Sequence, residues 1–306
     1  MRTVKQLVRN PLSLTGMLLL LFFLGVAVAA PWLAPPARAW EPYRIIQCGF
    51  SPTPAPPGEP NPLRAIAKVV TGQATLCQIH PFGTTGEGQY DIYYGVVWGT
   101  RTAFQVGLII TGACVFIGVI VGSVAAYFGR WVDEIIMRIT DIFLAFPFLV
   151  AAMTTAAVLQ PKIGRGLITA MIALICFGWM TYSRLIRGDI LAVKEREYVQ
   201  AARAAGAGHL RIIFRHILPN TLAVLIVQTT LQVASAILSA AALGFLGLGV
   251  QQPTAEWGAM LSTARQYIQL APHTLLFPGL AIMLTVLGFN LFGDGLRDAL
   301  DPRLRA

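Results

Sequence analysis

The sequence predicts an all-α polytopic membrane protein with six transmembrane helices, and three observations carry that prediction. Only 12% of the 306 residues are charged and 56% are hydrophobic, whereas a soluble domain carries about 25% charge. Mean hydropathy is +0.65. Several windows of about 18 or more residues hold no charge, enough to cross a bilayer as helix. The net charge of +9 is therefore read as topology. No aromatic-and-basic recognition motif directs it to nucleic acid.

Taken in order, Arg2, Lys5 and Arg9 precede an uncharged run from Asn10 to Ala37. Ala27-Val-Ala29 offers a processing site for a cleaved signal. An apolar run of roughly 22 residues is too long for a typical signal, so Leu12–Leu33 reads as a retained first span. Residues 35–100 form a long extracytoplasmic insertion rich in Pro and Gly, as in Ser51-Pro-Thr-Pro-Ala-Pro-Pro-Gly58, with a short helix expected at Leu63–Val70. It holds Cys48 and Cys77. An oxidising exterior permits a disulfide between them; two free thiols are the other outcome. Cys114 and Cys176 fall inside apolar spans, as packing residues.

Span two is expected from Thr102 to Phe128. Gly118, Gly122 and Ala126 recur in it every fourth residue, a spacing that lets another helix come close. A polar turn, Gly129–Glu134, leads to span three at Ile139–Leu159, with Pro147 kinking it. A second turn, Pro161–Arg165, leads to span four at Leu167–Ile186. Span five starts at Pro219, a favourable first-turn proline, and runs toward Val250. Gln228, Gln232, Ser235 and Ser239 share one face of it, within about 60° at 3.6 residues per turn. A polar stripe in a membrane helix faces protein or water, so it serves either a hydrophilic path or helix–helix hydrogen bonds. Residues 251–272 are re-entrant or external. Span six is Leu275–Phe292, and residues 297–306 form a tail.

Six spans place both termini on one side. Most of the 23 Lys and Arg then fall on the side of the termini, including Arg130, Arg138, Arg184, Arg187, Arg203, Arg211 and Arg215. Basic density favours N-in and C-in. The insertion is then outside and the polar stretch between spans four and five is cytoplasmic.

No span carries a charge near its middle, as an ion-coupled carrier would need. The chain has no G-x-x-x-x-G-K-[ST] loop for ATP, no nucleophile elbow and no H-E-x-x-H. His80, His209, His216 and His273 are dispersed. Catalysis in this chain is not expected, and no metal or cofactor is expected to be bound. Uphill transport would draw its energy from another subunit through the cytoplasmic stretch 188–218. There Ala201, Ala202 and Ala205 offer a small flat surface, and Gly206 permits a sharp turn. Leu210, Ile213, Phe214 and Ile217 share a helical face. This stretch either docks on a partner or lies on lipid headgroups.

Gln200-Ala-Ala-Arg-Ala-Ala-Gly206 with Ile217-Leu-Pro219 resembles the EAA loop of ABC importer permeases. The chain departs from that motif at Gln200, where the glutamate would stand, and at His216. Glu197 lies three residues before Gln200. Further motifs are similar to those of the dipeptide/oligopeptide/nickel permeases, C-type subunit. They are His80-Pro-Phe-Gly-Thr84, Tyr127-Phe-Gly129 with Trp131-Val-Asp133, Asp141 through Ala145-Phe-Pro147, Arg184-Leu-Ile-Arg-Gly188 and Glu195-Arg-Glu-Tyr-Val199. Leu243-Gly-Phe-Leu-Gly-Leu-Gly-Val250 and Gly293-Asp-Gly-Leu-Arg-Asp-Ala-Leu-Asp-Pro302 complete the set. Residues 35–77 find no counterpart in the resemblance. It implies a type I ABC importer permease in a prokaryotic cell membrane. The implied partners are a homologous B-type permease, two ATP-binding subunits that hold ATP and Mg, and an extracytoplasmic substrate-binding protein. It implies ATPase coupling through Glu197, Gln200, Ala201, Ala202, Gly206, Leu218 and Pro219. Peptides are the implied cargo, with nickel or another small solute as the alternative. A secondary carrier working without ATPases is the competing class, and a membrane scaffold or receptor the third.

Overall fold

A computed structural model describes residues 7, 10–36, 53–58, 80–86 and 90–300. The helix expected at 63–70 and the Cys48–Cys77 pair lie outside these residues. The described residues are almost entirely helical. Five helices are long and apolar enough to cross a membrane, or six if a bent pair is counted as one span.

The first span is α1, Pro11–Leu33, opened by the Asn10 side chain, which accepts from Leu12 N at 3.0 Å. The second, α2, runs Ile92–Phe128, so it starts ten residues before the expected Thr102. Asp91 caps it, accepting from Tyr94 N at 3.1 Å. At 37 residues it is about 55 Å long, against a hydrocarbon core of about 30 Å. Its length leaves about 25 Å beyond what a span needs; Arg101, ten residues into the helix, is exposed, and its guanidinium lies 5.3 Å from the Trp98 ring centre. Tyr93 and Trp98 donate to the carbonyls of Leu33 and Ala34, fastening α1 to α2.

Span three is corrected most. The expected continuous Ile139–Leu159 helix is two helices, α3 (Arg130–Leu144) and α4 (Phe148–Ile163), bent by 86°. The Gly129–Glu134 turn reduces to Gly129 alone, at φ 61°. Proline has no N–H and its ring excludes the preceding turn, so the chain breaks at Pro147 rather than kinking there. The charges of α3 explain the large angle. Asp133 is paired bidentately with Arg187, at 2.5 and 2.6 Å, and Asp141 with Arg184. Trp131, Ile135, Ile139 and Ile142 form an exposed apolar stripe on the same helix. One face charged and one oily is the pattern of a helix lying along an interface. α4 continues through Pro161 to Ile163, where a turn was expected.

Span four is α5, Leu167–Val193, seven residues longer than expected at its polar end. The small residues of α2 seat it. A Cβ on Gly118 or Gly122 would overlap Tyr182 or the Ser183 carbonyl, and Ala126 is fully buried. Span five is α8, Leu218–Phe245, ending short of Val250 where Gly247 turns at φ 78°. The segment after it folds into α9, Trp257–Ala264, capped by Glu256, which accepts from Gly258 N at 2.8 Å and Ala259 N at 2.7 Å. Span six is α10, His273–Leu300, extending the expected Leu275–Phe292 into the tail. It packs against α1 and α8, with Gly16, Gly288 and Gly295 at the α1 contact.

Two clusters hold the bundle. One joins α2, α4, α5 and α8 around Ile110, Cys114, Leu174 and Tyr182, and takes in Val199, Ile212 and Ile217 of the polar stretch. The other joins α1, α2, α9 and α10 around Phe23, Ile92, Trp257 and Ile282. Beside the second, residues 53–58 clasp the start of α2. Ala55 O accepts from Thr84 N at 3.1 Å and from His273 Nε2 at 3.0 Å, and His80 Nδ1 lies 2.5 Å from Asp91 Oδ2.

Candidate functional site

The stretch between α5 and α8 begins with α6, Glu197–Ala204. Glu197 sits in its first turn, where a negative charge faces the positive end of the helix dipole. Val199 is its anchor, fully buried in the α2/α5/α8 cluster. Gln200, Ala201 and Ala205 are exposed, and Ala202 is half-buried. The Gln200 amide donates to Glu195 O at 3.2 Å within the same stretch.

α6 ends in a Schellman turn. Ala207 N donates to Ala202 O at 3.1 Å and Gly206 N to Arg203 O at 3.0 Å. That motif requires a left-handed residue after the cap, and Gly206 supplies it at φ 79°. No atom lies within 4 Å of a Cβ placed there. The glycine is therefore needed for its backbone and not for space.

The chain then re-enters through α7, His209–Arg211, and a π-helical turn, Ile212–Ile217, that runs into α8 at Leu218 and Pro219. The expected apolar face of Leu210, Ile213, Phe214 and Ile217 is not one face. Ile212, Ile213 and Ile217 are buried, while Leu210 and Phe214 are 71% and 66% exposed. A π turn bonds i to i+5, so it rotates side chains away from the 3.6-residue period on which that face was counted. Leu210 and Phe214, with Arg211 and Arg215 next to them in the chain, leave exposed apolar side chains with basic neighbours.

On α8, Gln232, Ser235 and Ser239 line a small cavity of about 20 Å³, together with Thr111, Cys114, Phe148, Leu174 and Gly178. Gln228 lies on the same helix and is not among its walls. Phe148 opens α4 at the break, and no side chain caps the N–H groups of that first turn. Residues 141–150 are all exposed. Irregular backbone at membrane depth is tolerated only against protein or a water-lined cavity.

Two contacts were not legible in the sequence. Lys194 Nζ donates to Ala126 O at 3.2 Å, and Tyr127 Oη lies 2.7 Å from His209 Nδ1. Both join the end of α2 to the polar stretch. Among the described residues, no group of three or more His, Cys, Asp or Glu side chains is placed to hold a metal ion.

Residues 116–306 match the family of binding-protein-dependent transport system inner membrane components, and residues 1–47 match the N-terminal transmembrane domain of oligopeptide transport permease C. A dipeptide transport system permease of Alkalihalophilus pseudofirmus is 44% identical over 303 residues, 99% of this chain and 89% of that protein. The alignment thus runs through residues 35–77, which the motif resemblance left unmatched. A glutathione transport system permease of Pectobacterium atrosepticum is 42% identical over 74% of each chain. A probable D,D-dipeptide permease of Escherichia coli is 38% identical, over 99% of this chain and 91% of that one. Among solved structures, the inward-facing MetNI methionine ABC transporter is similar, with a TM-score of 0.57. It is 18% identical and covers 69% of this chain and 98% of that chain. That likeness gives the fold, a type I ABC importer permease.

Proposed function

We propose that this chain, which belongs to the binding-protein-dependent transport system inner membrane components, forms one half of a peptide-import channel driven by ATPases bound to residues 195–219. It is a multi-pass membrane protein and a transport subunit, not itself an enzyme. The other half is a homologous B-type permease. Two ATPase subunits hold ATP and Mg, and an extracytoplasmic binding protein delivers the cargo. Di- and oligopeptides are the cargo class that the relatives' names favour. The membrane is the prokaryotic inner membrane, with both termini and the coupling stretch inside.

The observation that carries this reading is the form of the 195–219 stretch. Its buried residues, Val199, Ile212, Ile213 and Ile217, are fixed to the bundle, while Ala201, Ala205, Leu210 and Phe214 are turned outward. A lever needs one face held and one face offered. The sharp turn at Gly206 sets the two halves at a fixed angle, so a push on the exposed face is passed to α5 and α8. The stripe Gln228, Gln232, Ser235 and Ser239, with the open break at Phe148, supplies the polar wall of the path. None of the four stripe side chains makes a hydrogen bond among the described residues, which favours the path over helix–helix bonding.

The test uses the whole transporter, purified with its ATPases. Ala202→Asp places a charge at the docking surface, and burying an uncompensated charge is costly. Gly206→Pro forbids the left-handed turn. Each is expected to lower binding-protein-stimulated ATP hydrolysis and peptide uptake by about tenfold or more. Both activities persisting unchanged in both variants would remove the docking role.

A further inference from the structure

We infer that Tyr127 and His209 form a strut that carries the movement of the coupling stretch into α2; the inference rests on the docking role proposed above for residues 195–219. The coupling stretch meets the bundle through its own continuation into α8 and through the buried side chains Val199, Ile212 and Ile217. At its midpoint, just after the Gly206 turn, it has a second attachment. Tyr127 Oη and His209 Nδ1 are joined by a 2.7 Å hydrogen bond. The rings stand edge to face with centroids 5.4 Å apart, and Phe128 flanks the imidazole at 6.3 Å. A third link, Lys194 Nζ to Ala126 O, fixes the start of the stretch to the same turn of α2.

The placement gives these contacts a mechanical meaning. Tyr127 is in the last turn of α2, before the Gly129 break. α2 is the long helix whose other end carries Asp91, Trp98 and the outer clasp. His209 opens the second half of the coupling stretch, behind exposed Leu210. A push on Leu210 and Phe214 therefore reaches α2 directly, without passing through α8. A hydrogen bond backed by ring contact is directional and stiff, as edge-to-face pairs hold geometry as well as area. The strut joins the two ends of the α2–coupling pair into one moving unit. Tyr127 and His209 are positioning residues; neither is asked to touch cargo or ATP.

The measurement is uptake of a labelled dipeptide mixture per ATP hydrolysed, in vesicles holding the complete transporter with its binding protein. The variants are Tyr127→Phe, His209→Ala and the double variant, with Ala202→Asp as the docking reference. Tyr127→Phe keeps the ring packing and removes only the hydroxyl. The expected result is hydrolysis within about twofold of the parent and uptake per ATP lowered about two- to tenfold, the scale of one partly exposed hydrogen bond. The double variant is expected to show the deficit of one single variant, because either change breaks the same bond. An unchanged uptake-to-hydrolysis ratio in Tyr127→Phe overturns the strut. So does a parallel fall in both activities, which marks a merely structural residue, and so do additive deficits. If those results come with a dead Ala202→Asp, the strut alone fails. If Ala202→Asp and Gly206→Pro are also fully active, the docking role fails with it.

Discussion

Glu256 is a buried carboxylate outside the spans, and its two backbone bonds only partly offset what burial does to it. Burial raises its pKa from 4.5 to about 7, against the lowering effect of the Gly258 and Ala259 N–H groups. The sign follows from linkage. Below pH 4.5 the group is protonated folded and unfolded, so it costs nothing. Between 4.5 and about 7 the unfolded chain ionises while the folded one holds its proton, so stability falls as pH rises. The full loss is about 3 kcal/mol at most, reached above pH 7. Glu256→Gln keeps an acceptor for the cap and removes the titration. Thermal unfolding of parent and variant in detergent should converge near pH 4.5, with the variant pulling ahead by pH 8. A difference that stays constant across that range would refute the assignment. Glu256 was not singled out from sequence, since a lone acid before Trp257 reads as loop; its burial is made by α8 and α9 together. Gly206 was legible, because a left-handed turn after a short helix has a residue signature. Tyr127–His209 was not, because residues 82 apart carry no period that joins them.

Helix by helix, the close packing of α2 on α5 was visible as Gly118-x-x-x-Gly122-x-x-x-Ala126. Its partner was not, since small residues mark an approach and not who approaches. Gly122→Val would drive a side chain into the Ser183 carbonyl, and overpacking of this kind costs about 1–3 kcal/mol. Gly112→Val on the same helix meets nothing within 4 Å and controls for the change in helix propensity. The Gly122 variant should unfold at lower temperature in detergent while the Gly112 variant stays near the parent. Equal shifts would mean the stripe is ordinary glycine tolerance. The broken third span escaped the sequence for a related reason. Hydropathy averages over a window, and α3 and α4 together pass as one span even at 86°. The sign of the break was the charge on α3, Asp133 and Asp141, whose partners Arg187 and Arg184 are more than 40 residues away. The π turn at 212–217 escaped because period counting assumes a fixed 3.6.

Across the whole molecule, orientation decides which surfaces meet which partner, and it rests on charge asymmetry alone. If the termini are inside, Cys48 and Cys77 lie outside, while Cys114 is buried and Cys176 sits within α5. A membrane-impermeant maleimide applied to intact cells therefore separates the cases. Labelling without reductant, removed by Cys48→Ser with Cys77→Ser, means N-in with free thiols. Labelling only after reduction, removed by the same pair of changes, means N-in with a disulfide. Labelling that appears only once the cells are opened means the opposite orientation. That last result would put residues 195–219 outside, away from ATP, and the docking proposal would fall with the topology. The expected outcome is labelling from the outside. It would place the exposed Leu210 and Phe214 side chains and the Tyr127–His209 contact on the side where ATP is available, which the proposed drive requires.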